Sequence, residues 1–284
     1  MTFTYQRPIK HLFLLLLLAS LTACSTMDLV TPNEGEDEKA GWSAADYYNE
    51  AKEALDDERY LAATELYEAL ESRYPFGAYA QQAQIDLAYA YYKNNDPESA
   101  IATANRFIRI HPRHQRIDYV HYLKGLVHFN RGIGFLERYL PTDKSQRDPG
   151  AALESLDDFE TLLRRFPDST YAADAKQRII SLKSNLALHD LNVARYYVKR
   201  KAYVAATNRA RYIIEHYQKT VAVPRALLLL VETYQAMDMN DLAADAQRVY
   251  NLNYPDGLPP IDNPFYAHEE TLSERIWEYL ELDK

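Results

Sequence analysis

The chain has 284 residues, 47% of them apolar and 26% charged, a balance that suits one large or two small folded domains and excludes disorder throughout. Eight glycines against 24 tyrosines and nine phenylalanines argue against a Gly-rich nucleotide-binding or all-β fold and for helices carrying half-buried aromatics. The formal charge is −9, and from residue 24 onward the chain holds 30 basic and 41 acidic residues, net −11, so the body repels nucleic acid.

Arg7 and Lys10 precede an apolar run from Leu12 to Ala19, which has the length of a signal-peptide core and falls short of the roughly 20 residues a membrane-spanning helix needs. Leu21-Thr22-Ala23-Cys24 follows and resembles the lipobox of bacterial lipoproteins, where small residues fit the signal peptidase and the thiol takes the diacylglycerol. Cys24 is the one cysteine, so no intrachain disulfide forms. The expectation is a signal peptide over 1–23, removed, and lipidation at Cys24; the other reading is an ordinary secretory signal with a free thiol. Ser25 stands where an aspartate would favour inner-membrane retention, which points to the outer membrane, and several acyl chains anchor a protein without a span. Residues 24–41 are polar and acidic with no apolar period and read as a flexible tether.

From Trp42 an internal repeat appears. The tetratricopeptide pattern places a small residue in helix A, another twelve positions on, an aromatic or apolar residue four later and a proline eight after that. Ala51, Ala63, Tyr67 and Pro75 make one copy, and Ala88, Ala100, Ala104 and Pro112 a second. Gly125, Ser155, Phe159 and Pro167 make a third, with 30 residues between the first two landmarks; Ala194, Ala206, Ala210 and Gln218 a fourth; Val231, Ala243, Gln247 and Pro255 a fifth. Small side chains belong where two helices approach closely, and proline ends helix B because it cannot extend the hydrogen-bond ladder. An aromatic residue or histidine precedes each terminating position, as Tyr74, His111, Phe166, Tyr217 and Tyr254. The fold class is therefore all-α, a superhelical solenoid of five tetratricopeptide repeats.

The spacings predict units one to three over 42–170, with an insertion in the third at about 129–150, and units four and five over 171–255. The second block opens with one long helix, within Tyr171 to Lys199, that projects beyond the stack and divides it. After Pro255 comes a Pro-rich linker, then Leu272, Ile276, Tyr279 and Leu280 at helical spacing. This last segment, within 256–284, either caps the final repeat or docks on a partner; capping is the simpler reading.

His111 and His114 at a turn, and His121 with His128 two helical turns apart, lack a third ligand and a zinc-helix spacing, so they read as structural, with no metal. Gly132-Ile133-Gly134 lacks the strand-turn-helix setting of a dinucleotide loop. No nucleophile elbow or phosphate loop is recognisable, so neither catalytic residues nor a cofactor is expected. Counting from the landmarks instead places Tyr48, Lys52, Gln82, Tyr89, Tyr92, Lys93, Tyr119 and Tyr122 on the inner, helix-A face, where tyrosines offer apolar surface with hydroxyl handles to a peptide; packing between units is the alternative for each. Arg195, Lys199, Arg200, Lys201, Arg209 and Arg211 form a second, basic surface late in the chain, either a docking patch or a solvated helix end near its negative dipole.

Between Tyr47 and Tyr254, and most densely in Arg73-Tyr74-Pro75-Phe76-Gly77, Tyr89-Ala90-Tyr91-Tyr92-Lys93-Asn94, Arg106-Phe107-Ile108-Arg109, Ile117-Asp118-Tyr119 and Arg147-Asp148-Pro149, the sequence resembles the BamD family, lipoproteins of the β-barrel assembly (BAM) machinery of Gram-negative outer membranes. The resemblance implies a scaffold on the periplasmic side whose C-terminal repeats meet a BamA-type barrel protein, with Arg209 as the charged docking contact; Arg195 and Arg211 of the same basic patch are expected beside it. It also implies an N-terminal half that receives unfolded outer-membrane proteins and companion Bam lipoproteins. The rival scaffold reading is a repeat lipoprotein organising peptidoglycan or division machinery.

Overall fold

A computed structural model describes residues 39, 41–131 and 149–260. The signal segment, Cys24, nearly all of the tether, most of the third-repeat insertion and the C-terminal segment from 261 lie outside the described residues. Within them the regular structure is helical: α1 (Ala44–Asp56), α2 (Tyr60–Arg73), α3 (Ala78–Lys93), α4 (Pro97–Ile110), α5 (Ile117–Asn130), α6 (Gly150–Arg165), α7 (Ala172–Lys199), α8 (Tyr203–His216), α9 (Val223–Ala236) and α10 (Asn240–Asn253). Each packs chiefly on its neighbours in sequence, and odd-numbered helices also touch the next odd one, α1 on α3, α3 on α5 and α7 on α9. This is the tetratricopeptide solenoid, with A helices odd and B helices even. Among the described residues no helix is long and apolar enough to cross a membrane.

The small landmarks sit at the helix crossings. Ala51, Ala63, Ala194, Ala206 and Ala210 are wholly buried, and Ala88, Ala100 and Ala104 nearly so. In the third repeat the approach is closest: a Cβ built on Gly125 would lie 2.6 Å from Cε1 of Phe159, and the buried Ser155 hydroxyl donates to the Gly125 carbonyl at 2.9 Å. A larger residue at 51 or 125 would push its B helix away and open the core behind it.

Helix ends follow from local chemistry. Ser43 and Asp46 form a reciprocal capping box on α1, and Asp96 caps α4 by accepting from the Ser99 N–H at 3.1 Å, with Pro97 at the first helical position. At the B-helix ends, Tyr74, His111, Phe166, Tyr217 and Tyr254 each donate a backbone N–H to the carbonyl four residues back, at 2.8 or 2.9 Å. The proline that follows four of them then disfavours helical backbone. Gly77, with φ 101° and ψ −179°, occupies a region essentially reserved for glycine and turns the chain from α2 into α3.

Four A-to-B turns among the described residues share a device that the landmarks do not reveal. Glu58, Asn95, Lys201 and Asp238 all adopt left-handed backbone, with φ 59°, 62°, 57° and 58°. The N–H of the next residue in each case, Arg59, Asp96, Ala202 or Met239, returns to the carbonyl five residues earlier at 2.8 or 2.9 Å, the closure that satisfies the end of a helix. None of the four is glycine. Glu58→Gly should relieve the Cβ cost and stabilise the chain by about 0.5–1 kcal/mol after the entropy of glycine is deducted; a lower urea midpoint than the parent would contradict this.

The 28-residue α7 does not stand clear of the stack, as the spacing suggested. Ala175 and Leu182 in its first half are buried with Phe159 and Leu162 of α6, whereas Leu186, Leu191 and Ala194 in its second half belong to the cluster with Ala206, Ala210 and Ile213 of α8 and Ala226 of α9. The additional turns are consumed in covering the third repeat, so one helix serves two cores.

Candidate functional site

The A-helix face of the first repeats is tied together by hydrogen bonds from α1 to α3, α3 to α5 and α5 to α7. Tyr48 of α1 donates to Asp86 of α3 at 2.9 Å; Asn130 of α5 donates to the Tyr92 hydroxyl of α3 at 2.7 Å; Tyr122 of α5 donates to Asp174 of α7 at 2.7 Å. Gln82 also donates to both oxygens of Asp86, at 2.9 and 3.0 Å. Burial, and after it the Asp86 carboxylate, push the Tyr48 hydroxyl well above the usual phenol range; burial and then the hydrogen bond to Asp174 raise Tyr122. At Asp174 burial opposes ionisation, but the hydrogen bonds from Arg178 and Tyr122 outweigh it and lower the pKa.

The rings form three groups in a track along this face. Tyr48 meets Tyr67 at 6.0 Å and Tyr79 at 5.5 Å, Tyr89 meets Tyr92 at 6.3 Å, Tyr119 meets Tyr171 at 5.5 Å, and Tyr122 stacks on Tyr171 at 4.7 Å. Tyr89 packs against both the first–second and second–third repeat cores. Arg116 lies over Tyr119 at 5.0 Å, and burial raises the pKa of that tyrosine. The track is therefore structural and open at once: hydroxyls join the repeats, while the rings of Tyr48, Tyr89, Tyr92, Tyr119 and Tyr122 remain partly exposed.

The two lysines sit elsewhere in character. Lys52 pairs with Asp56 one turn on, both half-exposed. Lys93 lies over the Tyr60 ring at 5.3 Å, at the far end of α3, and its hydrogen bond to Tyr60 raises its pKa against the opposing effect of burial. Counting from landmarks missed Asp86, Asp174 and Tyr171. Two signals were present, Gln82 four residues before Asp86 and Asp174 four before Arg178, spacings that bring polar partners together on a helix.

The three arginines do not converge. Arg209 stays exposed but donates to Asp190 of α7 at 2.8 Å, covering a carboxylate whose side chain is only 8% exposed. Burial raises the Asp190 pKa and the guanidinium offsets part of that rise. Arg211, two positions on and so on another face of α8, pairs with Glu215 at 3.4 Å. Arg195 is exposed on α7, and its charge is felt by Arg225 of α9. Removing the Arg209 guanidinium should cost about 1.5–3 kcal/mol, the range for a hydrogen bond to a charged group. Thermal melts of Arg209→Ala beside Arg209→Ala with Asp190→Asn check this; the second change should recover much of the loss, because no buried charge is then stranded.

The histidines are structural in placement. His128 is buried with Nδ1 2.7 Å from Asp158, which also meets Lys124 at 2.9 Å, and His121 lies against Phe166 with Nε2 3.1 Å from Arg165. His111 and His114 flank Phe107 at 5.0 and 5.1 Å. Among the described residues no cluster of three or more acidic, histidine or cysteine side chains could hold a metal.

Residues 41–249 match the family model described as YfiO, outer membrane lipoprotein. The chain belongs to this family. A relative from Neisseria gonorrhoeae named outer membrane protein assembly factor BamD is 42% identical over 258 residues, 91% of this chain and 94% of its own. The protein of the same name from Vibrio cholerae is 38% identical over 84% of this chain and 96% of its own, and that from Haemophilus influenzae 30% identical over 91% and 96%. The family match thus covers both the tyrosine track of the first repeats and the Asp190–Arg209 pair.

Proposed function

We propose that this chain is a lipid-anchored scaffold on the periplasmic side of the outer membrane, which helps assemble β-barrel proteins by holding an unfolded client segment on its tyrosine track while its later repeats dock on a BamA-type barrel protein. Kinship with BamD proteins supports the assembly role. The observation that carries the client reading is the row of partly exposed rings across α1, α3 and α5, held in register by hydrogen bonds from α1 to α3, α3 to α5 and α5 to α7. Such a row offers apolar ring faces to an extended or helical peptide at little conformational cost, because the phenol groups are already fixed.

Tyr89→Ala with Tyr92→Ala should weaken binding of a peptide ending in an aromatic residue at least tenfold in fluorescence anisotropy, while Tyr92→Phe leaves most of it. Unchanged affinity in the double variant would remove the track from client binding. For docking, Arg195→Glu and Arg211→Glu are the informative variants, since Arg209→Glu also places a second carboxylate beside Asp190. Copurification from native membranes in mild detergent should bring a large barrel protein with the parent and less of it with these variants. Wall-synthesis or division enzymes arriving instead would favour the rival scaffold. Lipidation is read directly as an acyl mass on the N-terminal peptide that Cys24→Ser abolishes.

A further inference from the structure

The last helix pair leaves apolar surface open to water. On the outer side of α10, Leu242, Val249 and Leu252 stand at helical spacing with 45%, 41% and 74% of their surface exposed, and Met239 just before them is 46% exposed. Next to the turn between α9 and α10 lies an open hollow of about 520 Å³ that Met237, Tyr203 and the 66%-exposed Val204 line. Lys201 lines its edge, and the two cations just before it in sequence, Lys199 and Arg200, are exposed as well. A terminal repeat needs its bare apolar side covered, and a cationic border selects an acidic cover.

The chain itself supplies one of the right chemistry. Residues 269–284 hold six acidic and two basic side chains, with Leu272, Ile276, Tyr279 and Leu280 at helical spacing. The reach is sufficient. Arg225, at the start of α9, donates to the Pro259 carbonyl at 2.9 Å, so the chain leaving α10 has come back to the beginning of α9, and the hollow lies at that helix's other end. The 14 residues of α9 span about 21 Å, and the stretch from Pro259 to Leu272 can extend about 40 Å.

We propose that the segment 269–282 folds back within the same molecule, lays its apolar residues along α10 and into the hollow, and sets its carboxylates against Lys199, Arg200 and Lys201. The proposal is independent of the client and docking readings above.

The test places a photoreactive benzoyl-phenylalanine at position 276 of the full-length lipoprotein in mild detergent. Crosslinked peptides should map to residues 199–208 or 237–252 of the same molecule, with a yield unchanged by tenfold dilution. Lys199→Glu with Lys201→Glu should cut that yield at least fivefold, and adding Glu274→Lys with Glu278→Lys should restore it. Lys199 and Lys201 are exposed, so reversing them leaves the core packing alone, and Val204→Asp gives an independent loss at the hollow. Crosslinks that fade on dilution would assign the surface to a second copy and overturn the proposal. Crosslinks elsewhere in the chain, or none, together with unprotected amide exchange over 272–282, would overturn it as well.

Discussion

Gly125→Val is expected to destabilise the chain by about 3 kcal/mol, at the upper end of the cost of overpacking a filled core. The first carbon of any side chain at 125 would enter the Phe159 ring at 2.6 Å, and Phe159 is wholly buried with no open side to retreat to. Gly125→Ala should cost less, because replacing a mid-helix glycine returns about 1 kcal/mol of helix propensity. The clash, and not the backbone, is the cause, so Gly125→Ala combined with Phe159→Leu should be less destabilised than the sum of the two single changes. Urea unfolding of the four proteins measures this; strict additivity would show that the ring moves aside freely.

Acidification should weaken the fold through His121. Burial first, and then the Arg165 guanidinium beside it, push the imidazole down to about 4 from an ordinary value near 6.5. The folded chain keeps this histidine neutral, with Nε2 facing Arg165, while the unfolded chain takes up a proton. Between those two values the unfolded state therefore binds more protons, so stability rises with pH across the window and falls as pH drops from about 6.5 to about 4. A shift of this size corresponds to about 3 kcal/mol, as an order of magnitude. His121→Gln, which keeps an acceptor for Arg165 and does not titrate, should flatten that part of the stability–pH curve. An equal slope in parent and variant would exclude His121 as its source.

What could be seen in the sequence is what depends on steric limits at fixed intervals. Ala51, Ala63, Ala88, Gly125 and Ala206 recur because two helix backbones meet there and only small side chains leave room, and the aromatic-proline steps at Tyr74-Pro75 and Phe166-Pro167 recur because each ends a helix. The left-handed turns at Glu58, Asn95, Lys201 and Asp238 were hidden, since four different residue types fill one geometry and glycine, the usual sign of it, is absent. The tyrosines of the A helices could be counted onto one face by period, but their acceptors Asp86 and Asp174 lie on neighbouring helices 38 and 52 residues away. Arg209 shows the same limit: the charge run is a surface, but that one member of it pairs with a buried Asp190 could be known only from the helix opposite.

The length of α7 has a mechanical consequence. At 28 residues it is about 42 Å long, and its two halves pack in separate cores, so it joins them as one rigid strut. A tilt of about 10° imposed at its C-terminal end, where the last repeats hold it, would carry the other end through about 7 Å unless the helix bent. Asp174, which holds the Tyr122 phenol, and the core of the last repeats therefore sit on one continuous helix with no joint between them, and a pull on those repeats would reach the tyrosine track through it.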